Sequence, residues 1–308
     1  MKIAVFGAGA MGSLYGGWLS KTEDVVLVDV SEELVSHINK NGIVGIEQDG
    51  NEKHYDVKAV VTGTNEGIQD LIIVFVKGMY TEDVMSQNKS MIGENTIVLT
   101  LQNGAGNNRD IEKYVRIDNV LVGTTLHNSV VKGQGVFYHS GSGSTNIGPE
   151  VQTPENMQKA KLVANILQNC GFEVNVLDNV QEVIWKKLFV NCGVNGLSMI
   201  VEQNIGEVWK NKFLWDLCKH IVDECVLVAE ADGTYVDRRE ALEITKKACK
   251  SDATGFASTY QDRIHCRKTE IDRLNGAIVK LATQYQVDVP YNRMLVKMVH
   301  AIEEEYSA

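Results

Sequence analysis

Lys2-Ile3-Ala4-Val5-Phe6-Gly7-Ala8-Gly9-Ala10-Met11-Gly12 is the stretch that decides the fold of this 308-residue chain. A short apolar run ends in glycines spaced G-x-G-x-x-G, and from Met11 to Leu19 the pattern turns helical. In such a strand–turn–helix each glycine has its own task. Gly7 allows the tight turn, Gly9 leaves room for a pyrophosphate to approach, and Gly12 lets the helix pack on the sheet. The helix N-terminus then offers free N–H groups to the phosphates. The spacing is a weak signal alone, but here it directly follows a predicted strand, which is the context the motif requires.

Reading outward, Val25–Val28 is the next buried strand. Asp29 stands at its end, roughly 20 residues past the glycines, where an acid accepts a hydrogen bond from a ribose 2′-OH. A dinucleotide site built from Gly7, Ala8, Gly9, Ala10, Met11, Gly12 and Asp29 is therefore expected. Ser31 is placed to cap a helix running to about Lys40. Residues 42–62 read as a small antiparallel excursion. Leu71–Val76, Thr96–Leu101 and Val120–Thr125 are apolar runs of the kind expected for parallel strands covered on both faces. Val136–His139 and Thr145–Gly148 read as short strands, Glu155–Cys170 as a helix closed by Gly171, and Phe172–Leu177 as a last strand.

Strands alternating with helical segments predict an α/β fold, a Rossmann-type doubly wound parallel sheet. Ligands bind such sheets beyond the carboxyl ends of the strands. Lys77 and Asn103 share that placement with the glycine loop and Asp29, and both are candidates to touch a ligand.

The bulk numbers narrow the function classes. With 44% hydrophobic and 23% charged residues the composition is that of a globular protein, and the length allows two domains. A net charge of −10 argues against nucleic acid or an anionic membrane surface as partner. No apolar run approaches the ~18 residues of a membrane span. A strand beginning after a single lysine leaves no leader to expect, and six cysteines without metal or C-x-x-C spacing read as thiols in a reducing cytoplasm.

From Val180 onward the periodicity is almost purely helical, so the expected domains are 1–179, dinucleotide-binding, and 180–308, an all-α substrate and catalytic domain. One helix there is unusual. Lys187, Asn191 and Asn195 recur at i, i+4 and i+8 among Leu188, Phe189, Val190, Val194 and Leu197. Polar groups aligned on a helix this apolar need partners, and a polar, anionic ligand is the functional reading. A carboxylate from the second polar cluster could hold the lysine ammonium; periodicity leaves Asp262, Glu270 and Asp272 open. The seven histidines show no nucleophile or metal spacing, and no metal is expected.

These residues carry a family resemblance. The opening motif, Val76-Lys77, Leu101-Gln102-Asn103-Gly104 and Gly123-Thr124-Thr125 resemble the first domain of ketopantoate reductases (2-dehydropantoate 2-reductases). Trp185-Lys186-Lys187-Leu188 with Asn191 and Asn195, Lys268-Thr269-Glu270-Ile271-Asp272 with Asn275-Gly276, and Val289-Pro290-Tyr291-Asn292 resemble the rest, so the likeness runs from end to end. It implies hydride transfer between a nicotinamide and C2 of a 2-oxo acid. Lys187 then matches the proton donor, and Asn103 the asparagine that touches both nicotinamide and substrate. Asn191, Asn195 and Ser258 match substrate-binding positions, and Glu270 the acid near the catalytic lysine and the cofactor.

Two departures bear on specificity. Relatives that use NADPH carry a basic residue after the second strand, whereas this chain has Asp29, Glu32 and Glu33. An acid there repels a 2′-phosphate, so NAD rather than NADP is expected. Ile205 also stands where many relatives place a substrate-contacting asparagine. Both departures lean toward NAD-linked dehydrogenases of D-2-hydroxy acids branched at C3, such as D-mandelate. The alternatives are 2-dehydropantoate 2-reductase of pantothenate biosynthesis and, from another class, an NAD sensor without turnover. An apolar helical domain further suggests a homodimer.

Overall fold

In the computed structural model, which describes residues 1–307, the chain divides into two compact units. The first holds Met1–Gln102 and Asn107–Val180; the second holds Asn103–Gly106 and the chain from Gln181 on. The four-residue segment 103–106 thus belongs with the helices, although it directly follows a strand.

The first unit opens with β1 (Lys2–Phe6), α1 (Ala10–Leu19), β2 (Asp24–Asp29) and α2 (Glu32–Asn41). Ser31 Oγ caps α2 by accepting from Leu34 N. A hairpin of β3 (Ile43–Ile46) and β4 (Glu52–Tyr55) follows, then β5 (Lys58–Val61), β6 (Leu71–Val74), α3 (Thr81–Gln87) and β7 (Ile97–Thr100). After α4 (Asn107–Ile111) come β8 (Val120–Thr125), β9 (Asn128–Gly133), β10 (Val136–Gly141), β11 (Thr145–Pro149), α5 (Pro154–Asn169) and β12 (Val174–Val176).

The main sheet runs β12-β11-β8-β7-β6-β1-β2-β5. Its six strands from β8 to β5 are parallel and have the strand order of a dinucleotide-binding sheet. The order reverses between β1 and β6, and β6 is buried along its whole length, as its unbroken apolar run requires. The sheet is mixed at one end, where β11 pairs antiparallel with β8.

Two local readings need correction. Residues 42–62 are not one antiparallel excursion. Only β3 and β4 form that hairpin, and β5 rejoins the main sheet parallel to β2, with Val26 opposite Lys58. Ala59 and Val60 are buried there, and a two-stranded excursion would leave them wet. The second sheet, β4-β3-β10-β9, also includes β9, which the sequence reading missed. Most of β9 is exposed and its apolar residues do not alternate, so the usual strand signal is missing.

Buried imidazoles join the two sheets. His127 Nδ1 lies 3.0 Å from His139 Nε2, and His139 Nδ1 lies 2.9 Å from Glu47 Oε2. Glu47 accepts from His139 Nδ1, and the buried His127 Nε2 at the other end makes no hydrogen bond. Burial, with a smaller contribution from His139, pushes the His127 pKa down to about 4.

The second unit is built from α6 (Val180–Val201), α7 (Ile205–Lys210), α8 (Lys212–Ala231), α9 (Arg238–Ser251), α10 (Ser258–Ile264), α11 (Asn275–Tyr285) and α12 (Pro290–Glu304). Its core gathers Trp185, Phe189, Val194, Ile221, Val228 and Leu295. A buried polar network crosses that core. Glu224 accepts from the N–H groups of Tyr291 and Asn292 at 2.9 Å each, closing the first turn of α12. Asn275 Nδ2 donates to Cys192 O at 3.1 Å and to Asn292 Oδ1 at 2.9 Å, which fixes α6 against its neighbours. Cys170, Cys192, Cys218, Cys225 and Cys249 are buried free thiols, and Cys266 is an exposed one. Among the described residues no helix is long and apolar enough to cross a membrane, and no cluster of metal-ligating side chains occurs.

Candidate active site

In the sheet unit the glycine loop is held from three sides. Gly7 donates to Val28 O at 2.8 Å and has φ +98°, and a Cβ there would lie 2.9 Å from Val76 N. The Val76-Lys77 segment at the end of β6 therefore lies against the turn. A Cβ on Gly12 would fall 1.8 Å from Gly7 O, so only glycine lets α1 begin this close to β1. Gly9 differs. A Cβ on it would meet nothing within 4 Å, so the surrounding protein supplies no reason for a glycine there.

Asp29 ties the loop to the second strand. Its Oδ2 accepts from Ala8 N at 2.9 Å and its Oδ1 from Ser31 N at 3.0 Å. Each carboxylate oxygen keeps a second lone pair for a hydroxyl. Gly9 caps α1 without a side-chain bond. An open glycine, uncapped N–H groups on Ala10 and Met11, and an acid at the next strand end together suit a pyrophosphate joined to a ribose diol. The residues present fit a dinucleotide. A cavity of about 210 Å³ adjoins the loop, lined among others by Gly9, Ser13, Ser31, Leu34, Gln134 and Phe137.

Gln102 joins two strand ends, a task that no local sequence pattern announces. Its Nε2 donates to Val76 O at 2.7 Å and to Thr81 Oγ1 at 2.9 Å, locking the end of β7 to the end of β6. Asn103 follows it directly. The next residues dock on the helical unit, with Ala105 N donating to Arg273 O at 2.9 Å. Gly104 has φ +86°, and a Cβ there would lie 2.1 Å from that same carbonyl. Arg273 thus seats the segment that carries Asn103.

In the helical unit the two adjacent lysines of α6 have opposite surroundings. Lys186 reaches Glu182 at 2.6 Å and Glu240 at 2.5 Å, and both carboxylates hold its pKa above the usual lysine value. Burial pushes Lys187 down to about 8, against an opposing pull from the charge of Glu270. Of the three acids left open by periodicity, Glu270 is the one that acts on this lysine. Asp262 faces Arg267 at 3.4 Å and Asp272 faces His300 at 2.9 Å.

Asn191 is half-buried and Asn195 is 8% exposed, both on the α6 stripe with Lys187. Thr259 Oγ1 donates to Asn195 O at 2.9 Å, which sets the exposed Ser258, first residue of α10, beside the far end of the stripe. The helical unit therefore gathers Lys187, Glu270, Asn191, Asn195 and Ser258, together with the segment of Asn103. The sheet unit gathers the glycine loop, Asp29 and Lys77. Thr259 and Arg273 carry no signal readable from sequence, because each acts through a backbone carbonyl.

Comparison with known proteins shows the family. Residues 3–152 match the family model for ketopantoate reductase PanE/ApbA, and residues 179–303 match the model for its C-terminal domain. The chain belongs to the ketopantoate reductase family. Among curated relatives, 2-dehydropantoate 2-reductase of Lactococcus lactis is 33% identical over 99% of this chain and 98% of its own. Its counterpart from Streptococcus pyogenes serotype M1 is 32% identical over 98% of each. Among solved structures, D-mandelate dehydrogenase with NADH and anilino(oxo)acetate superposes with a TM-score of 0.94 at 33% identity, covering 100% of both chains. A PanE/ApbA family ketopantoate reductase from Ralstonia eutropha gives 0.89 at 28% identity, again over the full length of both.

In this ketopantoate reductase family oxidoreductase, Ile205 packs against the core of the helical unit. The adjacent Asn204 Oδ1 caps α7 by accepting from Glu207 N at 3.1 Å. In the sheet unit, Asp29 is followed by Glu32 and Glu33 in the first turn of α2, with no basic residue between Asp29 and Leu34.

Proposed function

We propose that this enzyme moves a hydride between NAD(H) and C2 of a C3-branched 2-oxo acid or D-2-hydroxy acid, D-mandelate-like or pantoate-like. The observation that carries this reading is Lys187 beside Glu270, an ammonium whose pKa of about 8 suits proton transfer near neutral pH. The bound dinucleotide supplies or accepts the hydride. Lys187 stabilises the negative charge that develops on the substrate oxygen and then gives it a proton; in the oxidative direction its neutral amine takes that proton. Asn103, Asn191, Asn195 and Ser258 are assigned to the substrate, since amides and a hydroxyl bind a carboxylate directionally without a second full charge. Gly7–Gly12, Asp29 and Lys77 are assigned to the dinucleotide, with Asn103 and Glu270 at its nicotinamide end.

Asp29, Glu32 and Glu33 support NAD over NADP, since three acids at the adenosine end oppose a 2′-phosphate. NADH in the D-mandelate dehydrogenase structure supports the same choice. A second reading, reduction of ketopantoate to D-pantoate, rests on the relatives named 2-dehydropantoate 2-reductase. A sensor without turnover has no use for Lys187 beside Glu270. We also infer a homodimer, supported by large apolar residues exposed on the helical unit at Phe213, Leu227 and Tyr235, and a cytoplasmic location, supported by the six free thiols. Light scattering of the purified protein tests the dimer.

The deciding experiment is a panel of 2-oxo acids assayed with NADH and with NADPH. The 2-oxo acid of mandelate or ketopantoate should turn over with NADH. A strong preference for NADPH overturns the assignment of Asp29, and no turnover with any 2-oxo acid overturns the reaction.

A further inference from the structure

Glu270 sits in a short turn that is anchored from α12. Ile271–Arg273 form a single 3-10 turn, and the N–H groups of Arg273 and Leu274 donate to Glu270 O at 2.9 and 3.1 Å. Just before it, Thr269 is almost fully buried and donates twice to one oxygen of Glu303, from its N–H and its hydroxyl, at 2.7 Å each. The other Glu303 oxygen meets His300 Nδ1 at 3.0 Å, and His300 Nε2 reaches across to Asp272 Oδ1 at 2.9 Å. Thr269 and Asp272, on either side of Glu270, are therefore both fastened to one turn of α12.

The far end of the same turn carries Arg273 O, which accepts from Ala105 N and against which Gly104 is seated. One six-residue segment, 269–274, thus presents Glu270 to Lys187 and holds the segment that bears Asn103.

The two fastenings are unequal. The Glu303 side chain is only 8% exposed, whereas that of Asp272 is 67% exposed, so the His300–Asp272 contact is largely screened by water. Bonds to a desolvated carboxylate are the stronger kind. Glu303 is the anchor and His300 its support.

We propose that Glu303 is a positioning residue for this enzyme: through Thr269, and backed by His300, it sets the 269–274 turn so that Glu270 stands beside Lys187 and Asn103 is held at its post. Glu303 acts on the turn, and its effect on the chemistry passes through the distance from Glu270 to the lysine ammonium. Release of the turn weakens the one attraction that opposes burial at Lys187, so the lysine titrates lower. The groups that face this anchor are Thr269 and Asp272 on the turn and His300 on its own helix, with Tyr306 close enough to feel the charge of Glu303.

The inference rests on the proposed role of Lys187, and its test separates the two. The pH dependence of kcat/KM for 2-oxo acid reduction is compared for the unaltered enzyme, Glu303→Ala and Glu303→Gln, with thermal unfolding measured alongside. The glutamine variant keeps an oxygen acceptor for Thr269, whereas alanine removes it. Glu303→Ala should lower the apparent pKa of the alkaline limb by about half a unit or more, and lower kcat/KM about tenfold. Glu303→Gln should restore most of both. Where the alanine variant fails to fold, Thr269→Ala against Thr269→Ser makes the same comparison through the hydroxyl. A stability loss with an unmoved pH profile in every folded variant makes Glu303 merely structural and overturns the inference. Should Lys187→Ala retain near-normal turnover, the reading of the site fails instead.

Discussion

Glu270 is the carboxylate whose charge bears on the Lys187 ammonium, and the two come from separate parts of the helical unit's sequence. Lys187 lies within α6 and Glu270 at the turn before α11. Burial and this one acid act in opposite directions on the lysine and bring it to about 8. The ammonium is the proton donor in reduction, so the reductive rate should be flat below about 8 and fall as pH rises through it. The oxidative rate needs the neutral amine and should rise over the same interval. Glu270→Gln removes the attraction that raises the lysine pKa, so its limb should move to lower pH. A limb that stays in place or moves upward contradicts the pairing.

Gly9→Ala separates binding from folding. The backbone there has φ −69°, which alanine accepts, and its Cβ would meet no protein atom within 4 Å. Stability should change by no more than about 0.5 kcal/mol. NADH affinity, measured by fluorescence titration, should fall about tenfold or more, because the methyl group enters the path of the pyrophosphate. Unchanged affinity would remove Gly9 from the dinucleotide site.

Asp29→Asn should narrow the NADH-over-NADPH ratio of kcat/KM by about tenfold or more, through loss of a charge that repels the 2′-phosphate. An amide oxygen still accepts one of the bonds from Ala8 and Ser31, so the loop should keep its shape. A ratio that does not move would assign the preference to Glu32 and Glu33.

The sheet was largely legible in the sequence, and the reason is physical. Strands buried on both faces have few polar positions, so Leu71–Val74 and the start of β8 at Val120–Val122 announce themselves as unbroken apolar runs. β9 does not, since its exposed residues share no period. The candidate site divides in the same way. The spacing of Lys187, Asn191 and Asn195 is a property of one helix and is visible in one dimension. The choice among Asp262, Glu270 and Asp272 depends on which carboxylate faces α6, and no local pattern encodes that. Arg273, Thr259 and Glu303 act through backbone groups or through another side chain, so their chemistry leaves no motif.

The imidazole pair predicts an acid limit to stability. His127 titrates near 6.5 when unfolded and at about 4 in the native state, so below 6.5 the unfolded chain binds a proton that the native one refuses. Stability should fall as pH drops from 6.5 toward 4 and then level, by up to about 3 kcal/mol from this group. Urea unfolding of His127→Gln, which does not titrate, should show a flatter pH dependence over that interval. An equal slope in both proteins would place the acid sensitivity elsewhere.

The measurement that bears most directly on the central claim is kcat for Lys187→Ala with NADH and the 2-oxo acid that turns over fastest, paired with NADH affinity of the same variant. A loss of at least about 100-fold in kcat with affinity little changed is the predicted result, since the variant loses the proton donor and keeps the dinucleotide site in the other unit. Turnover within a few-fold of the unaltered enzyme would contradict the account, because a spectator lysine could be removed at no cost to the chemistry.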